Sequence, residues 1–181
     1  MCCFIASTIV LILYISITLL IRSKSGREIS PIEWHEKLDD PSAVVLDCRN
    51  SYESDIGLFE NAVALNTTFF RESWDALEDI LKDKPKNAPI MTYCTGGIRC
   101  VKINAYLEQK MGFTNVGRLE GGIISYTKEL ERSGLGNNAD SNGEAPNHIS
   151  RDVGSISKFK GTNYVFDERM GARITSDVLA Q

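Results

Sequence analysis

The chain reads as an α/β fold, with a mainly parallel sheet flanked by helices on both faces. Three observations predict it. The continuous apolar run at 43–48 reads as a strand buried on both faces of a parallel sheet, and 62–65, 90–93 and 116–119 read as further short strands. The stretches between them carry apolar residues at helical spacing. Asp47, Cys94 and Gly121 all fall at the carboxyl ends of strands, where such sheets gather reactive groups.

Each element has a local reason. Residues 29–34 read as a brief strand turning into a helix, with Ser30 as N-cap, Pro31 at the first helical position and Glu33 three residues after the cap. Trp34 and Leu38 share a face of that helix, which stops by Asp40-Pro41. The next strand is Ala43-Val44-Val45-Leu46-Asp47-Cys48, and Ala62-Val63-Ala64-Leu65 is a second. Residues 69–81 have helical spacing, with Trp74, Leu77 and Leu81 on one side. The strand at 90–93 leads through a glycine-bearing loop to a helix over 101–111. A strand at 116–119 and a helix from Ile123 to Glu131 complete the pattern. Residues 133–157 are rich in Gly, Asn, Ser and Asp and read as a flexible linker. Phe159 to Ile174 suggests a small hairpin or extended arm. The expected organisation is an apolar helix at 1–22, the α/β domain at 28–132, the linker, and an arm or hairpin at 158–181.

The whole-chain properties are those of a globular protein: 181 residues, 43% hydrophobic and 24% charged. A net charge of -4 gives no global attraction to nucleic acid, so an RNA contact needs a local basic patch or a partner. Five cysteines, Cys2, Cys3, Cys48, Cys94 and Cys100, show no repeated short spacing and suit neither a zinc site nor a disulfide scaffold. Cys94 and Cys100 can pair only if the loop brings them close. No metal or cofactor site is read, and nothing marks an iron or flavin site. His35 and His148 lie far in sequence from any nucleophile, which gives a cysteine-histidine hydrolase little support.

From Cys2 to Ile21 no charge appears, a length that would span a bilayer core as a helix, and Arg22, Lys24 and Arg27 follow. The expectation is a membrane anchor through residues 2–21 with the domain facing the cytosol. A cleaved leader, placing the domain in an organelle or secretory lumen, is the alternative.

The chemical signal lies in Tyr93-Cys94-Thr95-Gly96-Gly97-Ile98-Arg99. A sulfur over a helix start meets unpaired N–H groups and the positive end of the peptide dipole. Gly96 and Gly97 allow dihedrals that turn successive amides toward one point, and Arg99 adds a cation. Together these are expected to lower the Cys94 pKa from ~8.5 into the range of roughly 3.5–7.5. The bland reading is a small buried residue at a strand end. A cysteine phosphatase shares the logic of thiolate and arginine, but only the residues from Thr95 to Ile98 separate Cys94 from Arg99, a small cradle for a phosphate ester.

The segment Val45-Leu46-Asp47-Cys48-Arg49-Asn50-Ser51-Tyr52-Glu53, the loop Cys94-Thr95-Gly96-Gly97-Ile98-Arg99-Cys100 and the run Leu119-Glu120-Gly121-Gly122-Ile123 resemble the rhodanese superfamily. The loop and the segment Tyr164-Val165-Phe166-Asp167-Glu168-Arg169 resemble its branch of oxygen-dependent tRNA uridine hydroxylases. The resemblance implies a rhodanese-like fold, Cys94 as active cysteine, and Thr95, Gly96, Gly97, Ile98 and Arg99 as an anion-cradling loop. It implies Asp47 and Arg49 as a buried charged pair supporting the loop, with Cys100 closing the motif. Glu53 has a matching position, and an exposed helix carboxylate is as good a reading. Asn61 stands where the family more often has glycine. The leading expectation is sulfane-sulfur transfer through a Cys94 persulfide, between a small-molecule or protein donor and acceptor. The alternatives are hydroxylation of tRNA wobble uridine, with tRNA as partner, and a membrane-tethered binding module without turnover.

Overall fold

The computed structural model of the chain describes residues 25–133 and 157–164 and the backbone of 172–173. Strands β1 (Arg27–Ile29), β2 (Val44–Asp47), β4 (Val63–Ala64), β5 (Ile90–Tyr93) and β6 (Val116–Leu119) form a parallel sheet in the order β1-β6-β5-β2-β4. Asp47 pairs with Tyr93 in the register of β2 and β5, so these strands end level with each other. Alternation then sends Val45, Met91 and Tyr93 to one face and Leu46, Ile90 and Cys94 to the other.

Helices cover both faces. Trp34 and Leu38, from α1 (Pro31–Lys37) and its C-cap, pack with Ile123, Tyr126 and Leu130 of α5 (Gly122–Ser133) on the first face. Leu77 and Leu81 of α3 (Ser73–Leu81) pack with Ile103 and Leu107 of α4 (Ile98–Gln109) on the second. The Ser30 hydroxyl accepts from the Glu33 N–H at 3.3 Å, as the cap signature predicts. Residues 70–72 form a 3₁₀ turn ahead of α3, and α4 begins three residues before the predicted Val101. Asn61 adopts φ +62°, a left-handed conformation that asparagine tolerates better than most residues, which accounts for its standing at a glycine position.

Two elements had no sequence reading. The four-residue helix α2 (Ser51–Ser54) follows β2 at once, and β3 (Gly57–Phe59) pairs antiparallel with β7 (Phe159–Asn163), which in turn pairs with β8 (Ala172–Arg173). Both are too short for periodicity to register. A Cβ on Gly57 would sit 2.6 Å from the Thr162 amide nitrogen, so the close β3–β7 approach requires glycine there. Phe59 is the hub of this junction, with ring centroids at 4.8 Å from Tyr93 and from Tyr126, 5.2 Å from Phe159 and 5.7 Å from Trp34.

The predicted apolar helix at 1–22 and most of the linker, residues 134–156, lie outside the described residues. Among the described residues no helix is long and apolar enough to cross a membrane. The longest have 12 residues, about 18 Å of helix against a core of about 30 Å.

Phe59→Ala should cost about 3–5 kcal/mol of folding stability, and Phe59→Leu markedly less, because the first leaves a cavity bordered by four aromatic rings. Urea unfolding followed by tryptophan fluorescence reads both, since Trp34 lies against the substituted ring.

Candidate active site

Cys94 follows β5 and opens a loop that α4 closes. The loop is pinned from behind by the start of α5, where the Ile123 and Ile124 N–H groups donate to the Cys94 and Thr95 carbonyls at 3.1 and 3.2 Å. These bonds satisfy amides that a helix start leaves without intrahelical partners. Gly122 makes the approach possible: it has φ +66°, and a Cβ there would lie 2.4 Å from the Cys94 carbonyl oxygen. In front, Gly97 caps α4 with φ +85° and its N–H donates to Cys94 Sγ at 3.1 Å. Gly97 therefore plays the conformational part expected of it. Gly96 does not: its φ is not positive, and a Cβ there would meet open space.

Glu53 ties this loop to the end of β2. Its carboxylate is completely buried and accepts from Arg99 Nη1 at 2.5 Å, Arg99 Nη2 at 2.8 Å, Thr95 Oγ1 at 3.0 Å and the Asn50 N–H at 3.2 Å. Burial pushes the carboxyl upward, but the Arg99 hydrogen bonds and charge outweigh it, so its pKa lies below the ordinary value. The exposed-carboxylate reading of Glu53 is thereby corrected. Arg99 is not a free cation for an anionic ligand, being paired with Glu53 while also reaching the Cys94 thiol.

Asp47 and Arg49 form a second, fully buried pair. Arg49 Nε and Nη2 donate to the Asp47 carboxylate at 2.9 and 2.6 Å, and Ser54 Oγ donates to Asp47 Oδ2 at 2.9 Å. Arg49 also donates to the Gly57 carbonyl and lies over the rings of Tyr93 and Phe159. The pair joins the end of β2 to β3 and β7. It holds the scaffold beneath α2, and through α2 it holds Glu53.

The sulfur itself departs from the expectation. Cys94 is only 1% exposed. Hydrogen bonding to the neighbouring Cys100 thiol, followed by desolvation, pushes its pKa far above that of an ordinary thiol, although Arg99 pulls the other way. The predicted thiolate is therefore corrected to a protonated, covered thiol. The Gly97 amide and the Arg99 charge act as foreseen, but burial and a second thiol outweigh them. Ile98, by contrast, projects from the loop at 79% exposure. Cys48 was not singled out in the sequence, yet it lies beside Cys94: its N–H donates to the Tyr93 carbonyl at 2.9 Å, and it shares the same apolar cluster with Cys94 and Cys100. The aligned strand ends Asp47-Cys48 and Tyr93-Cys94 were the available signal.

A rhodanese-like domain model matches residues 30–129. The tRNA uridine(34) hydroxylase of Photorhabdus laumondii is 39% identical over 158 residues, covering 87% of this chain and 39% of that protein. The enzyme of the same name from Yersinia enterocolitica is 40% identical over 159 residues, with the same coverage. The chain thus spans about two fifths of the length of these curated relatives. Among solved structures, a rhodanese-like domain protein from Staphylococcus aureus is 27% identical with a TM-score of 0.45, over 55% of this chain and 90% of that one. The curated relatives correct the localisation read from residues 2–21: they are named for action on tRNA, and on that ground the membrane-anchored placement and its lumenal alternative are withdrawn.

With its pKa raised, Cys94 should alkylate with iodoacetamide at least about tenfold more slowly than a free thiol at pH 8, the rate still climbing above pH 9. Mass spectrometry of the Cys94 peptide against time measures this. Because the folded pKa of Glu53 lies below its unfolded value, its stabilisation is complete above the ordinary carboxyl pKa of 4.5 and fades as pH falls through the folded value. Glu53→Gln should cost about 3 kcal/mol at neutral pH and flatten the acid limb of a stability-versus-pH curve taken by urea unfolding.

Proposed function

Because the chain belongs to the rhodanese-like domain family, we propose that it is the cysteine-bearing part of an enzyme that hydroxylates the wobble uridine of tRNA, with Cys94 as the reactive residue. The observation that carries this reading is 39–40% identity to tRNA uridine(34) hydroxylases over 87% of the chain. This supports hydroxylation better than the sulfur transfer that led the sequence reading.

The surface around the site suits an unpaired nucleotide. Tyr52 on α2, Phe69 beyond β4 and Ile98 at the start of α4 are large apolar side chains left exposed at the carboxyl ends of the strands. The Arg71 guanidinium lies 4.7 Å over the Phe69 ring. Exposed aromatic rings and guanidinium planes are the surfaces on which splayed-out bases stack. In a chain of net negative charge, such a local patch has to supply the contact. The cover over Cys94 fits a reaction in which the sulfur is uncovered only as the substrate engages the loop.

Sulfur transfer remains as a second reading because of one contact. The Gly97 N–H aimed at Cys94 Sγ is what a bound sulfane sulfur would use. Against it stands Arg99, already neutralised by Glu53.

Nucleoside mass spectrometry of tRNA from cells lacking the protein separates the readings. Wobble 5-hydroxyuridine should fall at least about tenfold and return on complementation with the wild-type chain but not with Cys94→Ser. Unchanged 5-hydroxyuridine overturns the proposal. Thiocyanate formation from thiosulfate and cyanide, abolished by Cys94→Ser, then supports sulfur transfer.

A further inference from the structure

Three thiols converge beneath the loop, and the proposed reaction uses one. Cys48 and Cys94 follow neighbouring parallel strands whose last residues, Asp47 and Tyr93, are register partners. The two cysteines therefore leave the sheet side by side on the same face. Cys100 lies in the first turn of α4, where a helical side chain leans back toward the helix start and so toward the loop. All three are free, no more than 1% exposed and packed in one apolar cluster. The Cys100 thiol lies close enough to Cys94 to push its pKa upward, and Cys48 does the same to Cys100. The Cys48 thiol is turned toward the Leu46 carbonyl of its own strand, at 3.7 Å.

We infer that Cys94 and Cys100 form a dithiol couple, in which Cys100 is the resolving thiol that closes a disulfide onto an oxidised Cys94. Two strand ends and one helix start thus bring three thiols into a single apolar cluster. Above them the loop tip stands in solvent at Ile98, and the space beside Gly96 is open.

The chemistry balances with a peroxide as oxidant. Cys94 sulfur attacks the O–O bond, an S–O bond forms as O–O breaks, and the departing oxygen leaves as water, giving a sulfenic acid. Cys100 sulfur then attacks Cys94 sulfur, the S–S bond forms as S–O breaks, and a second water leaves. The two thiols have lost two electrons and the peroxide has gained them. A persulfide on Cys94 is discharged in the same way: Cys100 attacks the inner sulfur and the outer one leaves as hydrogen sulfide. The inference therefore goes beyond the hydroxylase reading and does not depend on it.

The test treats the reduced full chain with excess hydrogen peroxide, blocks remaining thiols under denaturing conditions and digests with trypsin. Cleavage after Arg99 places Cys94 in peptide 87–99 and Cys100 in peptide 100–102. The two appear joined, and lighter by two hydrogens than their sum, only if the disulfide has formed. The joined pair is expected in the wild type and in Cys48→Ser. In Cys100→Ser, dimedone should label Cys94 at least about tenfold more than in the wild type. Cys94 found joined to Cys48, or left unpaired in the oxidised wild type, overturns the inference. The wild-type peptide map decides the matter even if a variant fails to fold.

Discussion

One buried carboxylate governs this site. Glu53 is withdrawn from water at a cost of several kcal/mol, and four hydrogen bonds from Arg99, Thr95 and the Asn50 backbone offset that cost. These partners come from two places, the turn after β2 and the loop after β5. Glu53 therefore makes two strand ends into one rigid platform. The Asp47–Arg49 pair extends it toward β3, and the first amides of α5 secure it from behind.

On that platform the sulfur is under opposed influences. A backbone amide and a guanidinium favour the charged form, whereas burial and the Cys100 thiol favour the protonated form, and the second pair prevails at rest.

The second sheet gives the platform its floor. β7 comes from a distant part of the chain, yet it places Phe159 over the Arg49 guanidinium and against Phe59. The rhodanese-like fold supports more than one chemistry, so the fold alone does not select a reaction. The proposed hydroxylation rests instead on identity to relatives named tRNA uridine(34) hydroxylase and on a rim of exposed Tyr52, Phe69 and Ile98.

Much was legible before any coordinates. The short strands read at 90–93 and 116–119 coincide with β5 and β6, because their place between helix-patterned stretches is a local signal. Ser30-Pro31 located the start of α1, because capping chemistry is local. The placement of Cys94 between a strand and a helix start came from the same local order. Contacts between distant segments were not legible: β3 with β7, Glu53 with Arg99, and Cys100 with both Cys48 and Cys94. The ionisation state of Cys94 belongs with these, since it depends on which groups surround the sulfur in space. Local sequence carries dihedral preference and periodicity. Burial and charge pairing arise when remote residues share one interior, and here they reversed the expected charge of the central thiol.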